Sequence, residues 1–303
     1  MSVSLAAASP AAARTRRGGY ARRYWVFALP AALVVVGVIV FPWLFTLFMS
    51  VHDWQPSGAT NYVGLANFRH LLADPNFGWA ILRTFYFTVL GVAAPLVLGV
   101  YAALCFHRKF PLRGLARTVF ILPMMATPVA VALIFAMMFH PQLGVLNYLL
   151  TSLGLPPATW VYSVNTVIPT LAMVETWQWT PFVMLIVLGG LASLPIDPYE
   201  AAMIDGANPW QTFRHITLPL LWPFIIVATV IRTIDALKSF DVIYVITQGG
   251  PGSASTTINI FLYNEAFAYY HLGYASAVVI VFFALIVAIS LVLLMLRTRA
   301  KWQ

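Results

Sequence analysis

Charge is what this sequence has least of. Of its 303 residues only 9% are Asp, Glu, Lys or Arg, against 61% hydrophobic. Soluble domains carry about 25% charged residues. So few charges cannot cover a water-facing surface, which excludes a soluble globular protein and makes lipid the main solvent. Cysteine is almost missing as well. Cys105 stands alone in an apolar run, so an intramolecular disulfide and a cysteine metal site are excluded, and it reads as a small packing residue. No G-x-x-x-x-G-K-[ST] phosphate loop occurs. Gly249-Gly-Pro-Gly-Ser253 is glycine-rich but has no lysine, and reads as an outer turn. Any ATP chemistry therefore belongs to another chain. H-E-x-x-H is missing too: His52, His70, His107, His140, His215 and His271 all fall at loops or span ends. That speaks against an intramembrane metalloprotease, and no metal site is expected.

What is present is length and apolarity. A membrane-spanning helix needs about 20 mostly apolar residues. Six segments qualify: Trp25–Met49, Trp79–Cys105, Thr118–Phe139, Val167–Leu191, Leu220–Val245 and Ala275–Leu296. The chain therefore reads as an all-α polytopic membrane protein with six transmembrane helices. Residues 1–24, rich in Ala and Arg, form an N-terminal tail, residues 25–296 the membrane domain, and 297–303 a second tail. The first apolar run is too long for a signal-peptide core of about 7–15 residues and reads as a retained helix. Prolines inside the spans (Pro30, Pro42, Pro95, Pro123, Pro128, Pro169, Pro181) are tolerated where neighbours satisfy the freed backbone groups. Residues 143–153 form an amphipathic stretch suited to a short interfacial helix.

The net charge of +8 does not point to nucleic acid, because the charges lie in short segments between apolar runs. Arg14, Arg16, Arg17, Arg22 and Arg23 precede the first span. Arg108, Lys109, Arg113 and Arg117 follow the second, Arg214 follows the fourth, and Arg297, Arg299 and Lys301 follow the sixth. These 13 residues fall on one side, against Arg69 alone in the opposite loops. The excess of Lys and Arg marks the cytoplasmic side, so both termini are expected in the cytoplasm.

The loop between the fourth and fifth spans has its own grammar. Asp197 is placed to cap a first helix, Pro198–Asp205, with Pro198 at its first position and Glu200 at capping-box spacing. Gly206 is placed to end that helix in a left-handed conformation. Asn208 then caps a second helix that starts at Pro209. Ala201, Ala202 and Ile204 offer a small, close-approach surface. The physics admits two readings: a well-capped interfacial loop, or a docking knob.

The residues of this loop match a known pattern. Glu200-Ala201-Ala202, three residues, Gly206, nine residues, Ile216, one residue, Leu218-Pro219 resembles the signature of the permease subunits of binding-protein-dependent ABC importers at every position. Tyr62-Val-Gly-Leu-Ala-Asn-Phe68 and Phe240-Asp-Val-Ile-Tyr-Val-Ile-Thr-Gln-Gly-Gly-Pro-Gly252 resemble segments of the maltose and glycerol-phosphate (sugar) type. The resemblance spans roughly residues 25–300. It implies a type I importer permease fold in a bacterial inner membrane. It also implies a coupling helix, Glu200 to Gly206 with Asp205 and Pro209, seated in a cleft of an ATPase subunit. The implied assembly holds a second homologous permease, an ABC ATPase dimer carrying ATP and Mg, and a periplasmic or surface solute-binding protein. No cofactor is implied in this chain, and no enzyme activity.

Charges inside the spans are costly and usually face a bundle interior or a cavity. The fourth span has Glu175 near mid-depth, within Glu175-Thr-Trp-Gln-Trp-Thr180. The fifth has Arg232, Asp235, Lys238 and Asp241, each three residues apart and within pairing reach. One reading is a polar lining for a hydroxylated solute, with Trp177 and Trp179 stacking on its apolar face. The other is a structural salt-bridge ladder. A sugar, polyol or sugar derivative is the expected solute, neutral or anionic. The alternatives are an amino-acid or peptide importer and an ion-coupled secondary transporter.

Overall fold

The computed structural model describes residues 27–54, 58 and 60–299. The expectations for the 1–24 tail, for Trp25 and for Lys301 lie outside these residues. The architecture is helical. Among the described residues, five helices are long and apolar enough to cross a membrane: α1 (Phe27–Ser50), α3 (Pro75–His107), α7 (Val167–Ala192), α9 (Pro209–Leu237) and α12, whose apolar part is Leu272–Met295. Between α1 and α3 lie a hairpin of two three-residue strands, His52–Trp54 and Thr60–Tyr62, paired antiparallel, and a short helix α2 (Ala66–Ala73). Asp74 caps α3 by accepting from the Asn76 N–H at 2.8 Å, and Pro75 takes the first helical turn.

The third expected span is not one helix. It is α4 (Arg113–Met125) followed by α5 (Pro128–Met138), bent by 94°. The cause is local. A residue before proline is pushed out of the α region, and both Ala126 and Thr127 are extended, with ψ of 145° and 140°. Irregular backbone at membrane depth must be satisfied by protein. The Gln178 side chain of α7 does this, donating from Nε2 to the Ala126 carbonyl at 3.1 Å.

The fifth expected span also changes. It starts earlier, because the second helix of the loop runs without interruption into α9. It ends earlier, at Leu237, and a separate helix α10 (Asp241–Thr247) follows. Asn259, on α11 (Ile258–Tyr263), donates to the carbonyls of Leu237 at 2.9 Å and Ser239 at 3.2 Å, which satisfies the end of α9. Two π turns have a shared cause. Phe41 N–H bonds the Val36 carbonyl just before Pro42, and Leu218 N–H bonds the Phe213 carbonyl just before Pro219. In each case the next residue has no N–H to continue the ladder.

α3 and α7 pack along their length. Gly99 lets them meet: a Cβ there would stand 2.6 Å from the Val183 Cβ. Close approach over small residues is how helices associate where lipid removes the hydrophobic drive. Ala102, Ala103, Val183, Met184 and Val187 fill this contact, joined by Leu221 and Ile225 of α9. α1 is largely exposed and leans on α12, with Trp43 edge-on to Phe283 at 4.4 Å. The expected interfacial helix is α6 (Val145–Ser152), tied down by Asn147, which accepts from the Trp160 indole at 2.8 Å. Cys105 is exposed rather than packed inside. Among the described residues, no helix covers the face of α3 that carries it.

Candidate functional site

The first part of the site is the loop after α7. Helix α8 runs Asp197–Ile204, one residue earlier than expected. Its N-cap position is Ile196, and no side chain caps it. Asp197 is therefore a first-turn acid rather than a cap, and the Glu200 capping box does not form. The Ile196 backbone is already helical, so a side chain one residue on cannot reach back to the first N–H groups. Asp197 and Glu200 still place negative charge where the helix dipole favours it. The C-terminus matches expectation. Gly206 has φ +73°, the Ala207 N–H bonds the Ala202 carbonyl at 2.9 Å, and the Gly206 N–H bonds the Met203 carbonyl at 3.3 Å. This is a Schellman motif, with glycine at the left-handed position. Asn208 then caps α9. It accepts from the Gln211 N–H at 2.9 Å, and Gln211 accepts from the Asn208 N–H at 2.8 Å. The capping box thus belongs to Asn208 and Gln211.

Ala202 is the buried residue of α8 and seats it on the bundle. Around it, Glu200, Ala201, Met203, Ile204 and Asp205 are exposed, Ile204 to 87%. Pro209 and Pro219 are exposed, and Ile216 and Leu218 are half-buried. The result is a short helix with its C-terminus closed by backbone bonds and its apolar and acidic side chains directed outward.

The second part is a polar cluster inside the bundle. Glu175 of α7 and Arg232 of α9 form a salt bridge at 2.9 Å, with side chains 5% and 1% exposed. Arg232 also donates to the Gly91 carbonyl of α3 at 3.3 Å, and its guanidinium lies 4.8 Å from the Trp179 ring centroid. Ser239 donates to the second Glu175 oxygen at 3.0 Å. Burying two charges is costly, and their attraction offsets the cost only when further hydrogen bonds satisfy the pair. Gly91, Ser239 and the Trp179 face supply most of that here, while the buried Arg232 Nε has no hydrogen-bond partner among the described residues. The break after Leu237 is what brings Ser239 to Glu175.

The remaining expected residues separate from this cluster. Arg232 pairs across to α7 rather than with Asp235 on its own helix. Asp235 and Lys238 approach only to 3.9 Å and are 40% and 56% exposed. Asp241 opens α10 and is exposed, so the stripe is split by the helix break. Trp177 is exposed and meets Phe135 of α5 edge-on at 5.4 Å, while Trp179 covers Arg232. Sequence reasoning missed Gln178, Ser239, Gly91 and Asn259. Gln178 was the detectable one, as an amide flanked by two tryptophans in a span.

Long apolar helices, broken and repaired within the bundle around a sealed charge pair, with an outward-presented helix in one connecting loop, are the features of a multi-span membrane protein. The comparisons agree. Residues 95–301 match the family described as the binding-protein-dependent transport system inner membrane component, and the chain belongs to that family. It is a multi-pass inner-membrane permease of a binding-protein-dependent importer. The trehalose/maltose transport system permease protein MalF of Thermococcus litoralis is 35% identical over 274 residues, covering 89% of this chain and 92% of that protein. The sulfoquinovosyl glycerol transport system permease protein SmoG of Agrobacterium fabrum is 35% identical over 275 residues, covering 89% of each. A solved bacterial ABC transporter for import of the acidic polysaccharide alginate shares the fold, with a TM-score of 0.82 at 24% identity, over 95% of this chain and 100% of that one.

Proposed function

We propose that this chain forms half of the path for a sugar or polyol in an ATP-driven importer. The observation that carries the reading is the exposed helix α8. Its backbone is closed at the C-terminus by Gly206, and its side chains from Glu200 to Asp205 have no ion partner among the described residues. Such a knob is suited to seat in a separate ATPase subunit. Pro209, Ile216, Leu218 and Pro219 lie in the first turns of α9, which follows α8 through the short Gly206 turn, so a push on α8 moves that span. A second permease, an ATPase dimer with ATP and Mg, and a solute-binding protein complete the machine. With both termini cytoplasmic, the knob lies on the side where ATP is available.

The path side is assigned to the exposed polar residues Asp235, Lys238 and Asp241, with Trp177 as an aromatic platform. Glu175, Arg232 and Trp179 act behind them as the frame. Arg232 is already neutralised by Glu175, which leaves Lys238 between two acids. That balance favours an uncharged, hydroxyl-rich solute over an anion, and the names of the sugar-transporting relatives support the class.

The test is uptake by the reconstituted complex with its binding protein and ATP inside the vesicles. Accumulation of a neutral oligosaccharide or polyol, lost without ATP, is the expected result. Uptake driven by an ion gradient with no ATPase present would overturn it.

A further inference from the structure

On the coupling-loop side of the bundle, an apolar cleft of about 1100 Å³ lies between α3 and α9. Val97 and Tyr101 of α3 and Leu218 and Trp222 of α9 form its walls. Tyr199 and Met203 of the coupling helix lie at one end. His107 and Arg108, at the end of α3, stand on the rim, and no carboxylate is among the lining residues. Neither His107 nor Arg108 makes an ion pair among the described residues. The cleft therefore joins an apolar trough to an unanswered positive rim.

Its direction follows from the helix geometry. Trp222 and Asp235 are 13 positions apart (235 − 222) on α9. At 3.6 residues per turn, about 100° per residue, their side chains point about 140° apart. Leu218, by the same reckoning, points about 100° from Asp235, so the cleft opens on a different face of α9 from the Asp235–Lys238 pair. Tyr101 and Trp222 are 68% and 50% exposed. Amphipathic rings of this kind sit at headgroup level in a membrane interface. The volume of about 1100 Å³ slightly exceeds the roughly 300–1,000 Å³ of small-molecule sites. A basic pocket between spans at this depth matches the chemistry of anionic lipid headgroups.

We propose that the cleft binds one anionic phospholipid from the leaflet on the coupling-loop side. Its acyl chains lie between Val97 and Trp222, and its phosphate meets Arg108 and His107. Because Tyr199 and Met203 line the headgroup end of the same cleft, occupancy braces the coupling helix against α3 and α9. The inference does not depend on which solute is carried.

The full transporter complex is placed in nanodiscs of phosphatidylcholine and phosphatidylglycerol in equal amounts. Lipids that remain bound after release are then counted by native mass spectrometry. The expected result is one retained phosphatidylglycerol per copy of this chain, in preference to phosphatidylcholine. Arg108→Gln removes one basic group worth about 1 kcal/mol at an anionic surface, so retention falls about fivefold. Val97→Trp fills the trough and excludes both lipids. Both substitutions are on exposed positions and leave the complex intact. Equal retention of the two lipids, retention unchanged by Arg108→Gln, or full retention by Val97→Trp overturns the proposal. So does efficient crosslinking of Trp222→Cys to another subunit, because the cleft would then be covered by protein.

Discussion

Glu175 and Arg232 meet in the interior of the bundle with side chains 5% and 1% exposed, whereas Glu200 and Asp205 stand on a helix that little of the chain covers. In the first region almost every strong group is answered from within: carboxylate by guanidinium and hydroxyl, guanidinium by carbonyl and ring. In the second, the backbone is answered by Gly206 and its Schellman bonds and Tyr199 by Thr217, while the acidic side chains are left to something else. The contrast separates two roles for charge in one membrane protein. Sealed charge holds α3, α7 and α9 as a single body. Presented charge waits for another chain, and through α9 it is joined to that body.

The largest effect is expected at the sealed pair. Arg232→Ala leaves Glu175 buried without its cation, which costs about 3–5 kcal/mol. Thermal unfolding of the purified protein in detergent should show the drop, and joint replacement of Glu175 and Arg232 by Met should recover most of it. If the single variant unfolds like the parent, the pair is not the clamp described. Next comes Gln178→Leu. It strips the carbonyl of the exposed Ala126 of its donor at the 94° break, a net loss of about 0.5–1.5 kcal/mol for one hydrogen bond, partly offset because the buried, unpartnered Gln178 Oε1 is removed with it, read in the same assay.

How much of this was legible in the sequence depends on range. The spans that became α3, α7 and α12 could be read from hydropathy alone, because each is continuous in composition. So could the turn at Gly206 and the cap at Asn208, since both act within a few residues. The break at Ala126 and Thr127 could not. Pro128 signals a local bend, but its acceptance depends on Gln178, 52 residues from Ala126. The end of α9 at Leu237 was hidden likewise, because apolarity continues to Ile246 and the terminating amide comes from Asn259. Asp197 was misjudged by one residue, enough to convert a cap into a first-turn acid. For the charges, spacing gave Asp235 with Lys238, but the pairing of Arg232 with Glu175 is a property of the packed helices.

At the exposed stripe, the comparison predicts loss of function with little loss of stability. Asp235→Asn and Lys238→Gln should shift unfolding by less than about 1 kcal/mol, as for exposed ion pairs, while reducing solute uptake. Trp177→Ala should behave the same way. Unchanged uptake in all three would move this stripe into the structural class with Glu175. The smallest stability effect belongs to Glu200→Ala. No side-chain cap is lost there, and the helix-dipole contribution is about 0.3–1 kcal/mol.

Gly206→Val tests the coupling claim most directly. A Cβ at Gly206 meets nothing within 4 Å, so the substitution strains only the left-handed backbone, by roughly 1–2 kcal/mol. That is too little to unfold the bundle but enough to tilt α8 against α9. The measurement is ATP turnover by the reconstituted complex, with and without solute-loaded binding protein. The account predicts an inserted, assembled permease whose stimulation by loaded binding protein is largely lost. Full stimulation in Gly206→Val, with the complex intact, would contradict it.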